Sequence, residues 1–472
     1  MQSTDSPPQS GCRYLASSTA DKASLSPNQQ LMPLTATVNE QDHLTIGNCD
    51  VTQLVEQYAS PLYIVDELTL RTACRQYRDA FKRYYPGESQ VIYASKAWCC
   101  LAISSIIASE SLGFDVVSGG ELYTVLRALE LAGAKTDWAK EIYFHGNNKS
   151  KAELKLALEV GCTIIVDNWL ELELLKALTT EYQALSANIL LRMTPGIECH
   201  THEYIRTGHL DSKFGFDPTQ LDSVLNNLNH YPSLNCLGLH AHIGSQIFEQ
   251  EPHQDLGPVL IDWLAKADHY GLSFSTINIG GGLGIRYTEF DDPPSIEDWC
   301  KASAQAVVRA CESRQLPLPK LIAEPGRSLI GTACVTAYSI GSRKTVPGIR
   351  TYLSVDGGMS DNPRPITYQS DYCSVIANRM SATLEETVTL AGKHCESGDV
   401  LIKDLPLPKT EAGDILVVLG TGAYNHSMAS NYNRLPRPAA VLVNKGEANL
   451  ILARENYDDL IRQDRLPERL KL

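Results

Sequence analysis

The run Val91-Ile-Tyr-Ala-Ser-Lys96-Ala97 is apolar and strand-forming, ends on a single lysine, and is followed by a helical pattern. That spacing puts an amine at the carboxyl end of a strand, where α/β barrels carry their chemistry. A lysine held among apolar neighbours gives up its proton more readily and becomes a nucleophile for carbonyls. On this stretch alone, a solvated lysine at a helix start is the plainer reading, so the other groups have to decide.

Three further stretches carry such groups. Ile277-Asn-Ile-Gly280-Gly281-Gly282 lets backbone N–H groups approach an anion with no side chain in the way. Glu324-Pro-Gly326-Arg327 closes the next apolar run, and the last two loops of a barrel are its recurrent phosphate site. His240-Ala-His242-Ile-Gly-Ser245 ends an earlier run and sets two imidazoles on one face of a strand. No third metal ligand is evident in that stretch, and Cys199-His200-Thr-His202 reads as a polar loop, so no metal is expected. A lysine, a stacking imidazole at His242, a glycine cradle and a carboxylate describe one ligand, pyridoxal phosphate. Lys96 would bind its aldehyde as a Schiff base, and Glu324 would keep its pyridine nitrogen protonated.

The elements that position these groups alternate along the chain. Strand-like runs at 91–95, 114–117, 141–144, 163–166, 188–192, 236–243, 275–279 and 320–323 are separated by stretches with helical character. Residues 67–84 read as a helix with Leu68, Leu70, Cys74, Tyr77 and Phe81 on one apolar face. Eight such strands predict a parallel (β/α)8 barrel over roughly 67–330. A doubly wound sheet is the rival, but its glycine fingerprint belongs on the first βα turn and here it comes seventh. Short β pieces split by Gly, Pro, Asn and Asp predict a second, all-β domain over 331–472. Residues 33–66 carry sparse strands expected to pair with that domain, and 1–32, rich in Ser, Pro, Gln and Thr, read as a disordered extension.

Composition closes off several classes. With 41 Lys and Arg against 55 Asp and Glu, the net charge of -14 argues against a nucleic-acid partner. Thirteen cysteines without a CxxC pair point to a reducing compartment, and with no secretory signal or membrane-length apolar run the cytoplasm is expected.

The motifs Tyr93-Ala-Ser-Lys96-Ala, Gly113-Phe-Asp115-Val-Val-Ser-Gly-Gly-Glu121-Leu, His145-Gly-Asn-Asn-Lys149, Thr207-Gly-His-Leu-Asp-Ser-Lys-Phe-Gly215, His240-Ala-His-Ile-Gly-Ser245-Gln246, Gly280-Gly-Gly and Glu324-Pro-Gly-Arg327 occur in one order. This series resembles the fold-type III pyridoxal-phosphate-dependent decarboxylases, over about residues 45–450. The resemblance implies the alanine racemase-like pairing of a barrel with a β domain. It assigns Lys96, Asp115, His242, Ser245, Gly280, Gly281, Gly282, Glu324, Gly326, Arg327 and Tyr424 to the cofactor. Asp361-Asn-Pro-Arg364-Pro-Ile-Thr-Tyr368, Cys395-Glu396-Ser-Gly-Asp399 and Gly422-Ala-Tyr424 narrow it to the branch acting on meso-2,6-diaminopimelate. There Arg327, Arg364 and Tyr368 would hold the distal carboxylate, Glu396 the distal ammonium, and Tyr424 both substrate and cofactor phosphate. Cys395 would donate the proton from the partner subunit, which implies a homodimer with shared sites. Decarboxylation to L-lysine and carbon dioxide is therefore expected. Decarboxylases of ornithine, arginine or carboxynorspermidine are the near alternative, and an inactive binding relative the distant one. Trp98 and Asn425-His426 depart from the family pattern at the mouth of the site.

Overall fold

The computed structural model of the chain describes residues 10–16, 24–134, 138–182, 185–197 and 212–472. Eight parallel strands close into a barrel: β1 Ser89–Ala94, β2 Gly113–Val116, β3 Ile142–Phe144, β4 Thr163–Val166, β5 Ala187–Arg192, β6 Leu234–His240, β7 Thr276–Asn278 and β8 Lys320–Ala323. All eight apolar runs picked out from the sequence are these strands. Each is short and buried on both faces, inside by barrel filling and outside by helices, which is why it reads as a continuous apolar run. Ile92, Tyr143, Ile165, Leu190 and Ile322 fill the interior below the site.

Closure sets the register. β8 pairs with β1 through Ala323 and Val91, and β1 with β2 through Ala94 and Asp115. Arg192 pairs with His240, and His240 with Asn278. Polar residues from distant parts of the chain therefore meet at the carboxyl ends of the strands.

The helix Glu67–Tyr84 starts where the Asp66 carboxylate accepts the Thr69 N–H, and it buries Leu70, Ala73, Cys74, Tyr77 and Phe81. Leu68, expected on that face, is exposed. At about 100° per residue it lies about 200° from Leu70, on the opposite side of the helix.

From Cys334 onward the chain is β-rich. Leu62–Asp66 is a full member of the nine-stranded sheet there, antiparallel to Cys334–Val346 and parallel to Ala439–Asn444. Thr37–Val38, Leu44–Ile46 and Cys49–Asp50 form their own three-stranded sheet instead of joining it, tied on by the Leu44 N–H to Ala377 O at 2.7 Å. The fold is a TIM-type barrel with a separate, mostly-sheet domain. Among the described residues no helix is long and apolar enough to cross a membrane.

The disordered extension expected over 1–32 needs correction for the described residues 10–16, where Gly11–Tyr14 forms a 3-10 turn that buries Tyr14, and for residues 24–32. Pro27, Asn28, Leu31 and Met32 are buried. Asn28 Nδ2 donates to Gly284 O at 3.1 Å and Pro294 O at 2.9 Å, and its own carbonyl accepts the Arg286 N–H at 2.8 Å. Polar side chains binding backbone hold this segment, so its composition mimics disorder. Asn28→Ala strands two buried carbonyls and should cost about 2 kcal/mol. A shifted urea midpoint at unchanged m-value would register that loss, and an unmoved midpoint would refute it.

Candidate active site

A cavity of about 680 Å³ opens at the carboxyl end of the barrel, between it and the β domain. Lys96 sits in the turn Ser95–Ala97 that ends β1, and it is the one lysine lining the cavity among the described residues. Its exposed surface faces the cavity, and Nζ lies 3.9 Å from Asp115 Oδ2. Burial works against its charge, but Asp115, Tyr424 and Glu324 outweigh it and raise its pKa. The sequence-based expectation of an amine made acidic by apolar neighbours is thus reversed in this state. The carboxylate that reverses it comes from the neighbouring strand. Asp115 itself is fully buried, and desolvation raises its pKa although His145 and Lys96 pull the other way.

Glu324 follows β8 and is enclosed by donors. Asn278 Nδ2 reaches Oε1 at 2.6 Å, His145 Nε2 stands 2.8 Å from the same oxygen, and His240 Nε2 is 3.2 Å from Oε2. Burial alone would raise its pKa, yet the imidazoles reverse the sign and hold the carboxyl well below its ordinary range. Burial drives His240 down to about 4. His145, His240 and Glu324 lie close enough to suit a metal ion. However, His240 Nε2 and Asn278 Nδ2 already hydrogen-bond the Glu324 carboxylate, with His145 Nε2 beside Oε1, which is the pattern of a hydrogen-bonded anion. The stretch Cys199 to His202 lies outside the described residues.

The glycine run is tightly seated. A Cβ on Gly280, whose φ is +66°, would fall 2.6 Å from His242 Nδ1, and one on Gly281 would fall 2.3 Å from Glu324 O. His242 Nδ1 accepts the Gly281 N–H at 3.2 Å, so the ring carries its proton on Nε2. Burial and the Lys96 charge push its pKa well down. The N–H groups of Gly282, Gly326 and Arg327 have no acceptor among the described residues. Beside them, Ser245 Oγ accepts Arg327 Nη2 at 2.9 Å. These donors sit in the loops after β7 and β8 and suit a phosphate group. Neutral His242, the Lys96 amine and anionic Glu324 line the same cavity. The residues present therefore fit pyridoxal phosphate.

Arg364 enters from the β domain. It is buried, donates from Nη1 to Tyr372 Oη at 2.7 Å, and leaves Nε without a partner. Neither Arg364 nor Arg327 has a carboxylate partner among the described residues, an arrangement that calls for an anionic ligand. Tyr368 and Tyr424 line the cavity with them. Tyr424 has φ +65°, and its N–H donates to Ala97 O at 2.9 Å, which docks it on the Lys96 turn. The two departures from the family pattern pack together: Trp98 stacks on His426 at 5.1 Å, while Asn425 is buried with Nδ2 donating to Thr421 O at 3.1 Å.

Cys395 and Glu396 are not brought to this cavity. They lie exposed on a turn held by buried Asp399, which accepts the His394 N–H at 2.9 Å and the Met359 N–H at 2.7 Å.

His145, Arg192, Asn278, Tyr287 and Tyr372 were given no role from the sequence. His145, Arg192 and Asn278 end or follow β3, β5 and β7, so the rule that singled out Lys96 would have found them. Tyr287 and Tyr372 lie in loops, where no spacing marks them.

The segment leading to Arg364 contains a titratable device. Asp361 is buried, with Oδ1 accepting the Gly358 N–H at 2.9 Å and Oδ2 the Tyr338 hydroxyl. Burial raises its pKa to about 7, and Asp399 and Asp356 act in the same direction. The native state then keeps a proton that the unfolded chain releases near the ordinary aspartate value of 3.8. Stability falls as pH rises between those values and levels off above about 7. Asp361→Asn should flatten that slope, so its melting temperature should fall less than that of the wild type from pH 5 to pH 8. Parallel falls would exclude Asp361 as the source.

Fold and site together define a pyridoxal-phosphate-dependent decarboxylase. Residues 68–331 match the family model described as "Pyridoxal-dependent decarboxylase, pyridoxal binding domain". Over full length the chain is 64% identical to diaminopimelate decarboxylase of Synechocystis sp., with all of both chains covered. It is 44% identical to the Bacillus subtilis enzyme of the same name, over 91% of this chain and 97% of that one. The solved diaminopimelate decarboxylase of M. jannaschii, in complex with L-lysine, superposes with a TM-score of 0.84 at 32% identity, covering 95% of this chain and 100% of that one. The chain belongs to the diaminopimelate decarboxylase family.

Proposed function

We propose that this site decarboxylates meso-2,6-diaminopimelate to L-lysine and carbon dioxide, the final step of lysine biosynthesis, with residues 67–330 as the cofactor barrel and 331–472 as the β domain. The observation that carries the reading is the pair of buried guanidiniums without acid partners, Arg327 and Arg364, in the same cavity as Lys96. A simple monocarboxylic diamine such as ornithine or lysine offers no second carboxylate to meet them.

When bound, pyridoxal phosphate supplies an electron-poor ring that accepts the pair left by the breaking bond to the carboxylate. Lys96 would hold the cofactor through Nζ, and Asp115 beside it keeps the free amine charged. Glu324, hydrogen-bonded by Asn278 and His240 with His145 beside it, would hold a proton at the pyridine nitrogen. His242, a neutral imidazole, would pack on the cofactor, and Ser245, Gly280, Gly281, Gly282, Gly326, Arg327 and Tyr424 would hold its phosphate. Arg327, Arg364 and Tyr368 fix the distal carboxylate.

Cys395, on its exposed turn, protonates Cα in the cavity of a second subunit, and Glu396 there takes the distal ammonium. Their distance from the cavity in their own chain supports a homodimer with shared sites. Twelve described cysteines are free thiols, which supports the cytoplasm.

Purified, cofactor-loaded protein given meso-diaminopimelate, ornithine and arginine separately should release lysine from the first and no amine from the others. Turnover of ornithine or arginine in preference would overturn the assignment of Arg364. Mixing Cys395→Ala and Lys96→Ala subunits under exchange conditions should restore activity, since about half of the dimers would be mixed and carry one intact site. Two inactive parents with no recovery in proven mixed dimers would exclude shared sites.

A further inference from the structure

Arg327 and Arg364 reach the cavity from different domains, and Tyr287 touches both. Its hydroxyl accepts Arg327 Nη1 at 2.7 Å, while its ring lies under Arg364 with Cζ 4.6 Å from the centroid. The ring also meets Tyr372 edge to face at 5.2 Å, and Tyr372 Oη accepts Arg364 Nη1 at 2.7 Å. The backbone holds Tyr287 in place: its N–H donates to Asp291 Oδ2 at 3.0 Å, and the preceding Arg286 N–H donates to Asn28 O at 2.8 Å. Tyr287 is buried and lines the cavity.

Two like charges in a dry site repel and would splay apart without a counter-ion. A second acid would keep them together, but it would also compete with an anionic ligand. A neutral tyrosine avoids that competition by accepting a hydrogen bond from one guanidinium and offering its π face to the other. The hydroxyl's own proton has no acceptor among the described residues and is left for a carboxylate oxygen.

We infer that Tyr287 is a positioning residue that presets Arg327 and Arg364 as one receptor for the distal carboxylate, and so sets the preference for substrates that carry it. This rests on the substrate reading above. Tyr287→Phe removes the hydroxyl and keeps the ring, whereas Tyr287→Leu removes both. In Tyr287→Phe the KM for meso-diaminopimelate should rise about tenfold with kcat within about threefold, and in Tyr287→Leu the KM should rise further. Inhibition separates positioning from general damage. L-lysine keeps the distal carboxylate, so its Ki should rise in parallel with KM. Cadaverine lacks that carboxylate, and its Ki should move less than about twofold. Cofactor absorbance should be unchanged in Tyr287→Phe. Equal losses for lysine and cadaverine, a fall in kcat at constant KM, or loss of bound cofactor would overturn the inference. A wild type that does not turn over meso-diaminopimelate would instead strike the substrate reading.

Discussion

Lys96→Ala should lower kcat by at least ~10³-fold while the protein still folds and still binds its cofactor, because covalent capture and proton handling at Nζ go together. No other lysine lines the cavity among the described residues, so no neighbouring amine can take over. Lys149, which ends the His145–Lys149 motif, is committed to Glu171 at 2.6 Å and to the carbonyls of Gly146 and Ile165. The phosphate cradle and Glu324 remain in the variant, so affinity should drop without vanishing. Borohydride treatment followed by mass spectrometry gives a direct readout: the wild type gains the reduced cofactor's mass on the peptide carrying Lys96, and the variant gains none. Retention of more than a tenth of wild-type turnover would remove Lys96 from the chemistry. Asp115→Asn is the companion, since loss of the charge 3.9 Å away should lower the Lys96 pKa and move the alkaline limb of the pH profile down.

The barrel was legible because each strand is a short, mostly apolar run, and such runs alternate with stretches of helical character. Lys96, His242, the glycine run and Glu324 were legible for the same reason, as strand-end groups at known places in an ordered series. What the sequence hid depends on closure and on loops. Asp115 faces Lys96 only because β1 and β2 pair through Ala94 and Asp115, so a lysine read as lying among apolar neighbours turned out to have a carboxylate beside it. Glu324 is held by groups from β3, β6 and β7, far apart in the chain and near only around the barrel. Residues 24–32 were misread because buried Asn28 is held by hydrogen bonds to backbone, a pattern with no hydrophobic period to detect. Cys395 and Glu396 were recognisable as a motif, and the structure places both on an exposed turn away from the cavity.

Arg364→Met should cut kcat/KM for meso-diaminopimelate by about 10²- to 10⁴-fold, as expected from losing two charge-assisted hydrogen bonds of roughly 1.5–3 kcal/mol each. Methionine keeps much of the buried apolar stem, so the loss is of charge and fork geometry more than of packing. Removal of the buried cation also relieves its repulsion from Arg327 and leaves Tyr372 without its 2.7 Å donor. The fold should therefore survive, with melting temperature changed far less than activity. Selectivity is the sharper readout. In the wild type, a substrate without the distal carboxylate leaves a buried guanidinium unsatisfied and is rejected. In the variant that cost is gone, so kcat/KM for lysine bound as a substrate, with its single carboxylate at the reacting carbon and the distal site empty, should stay level or rise while that for meso-diaminopimelate falls. If both substrates lose equally, Arg364 acts on the architecture of the site, and the carboxylate must be recognised elsewhere. If only the wild-type substrate suffers, the buried cation without an acid partner is what makes this barrel prefer a diacid.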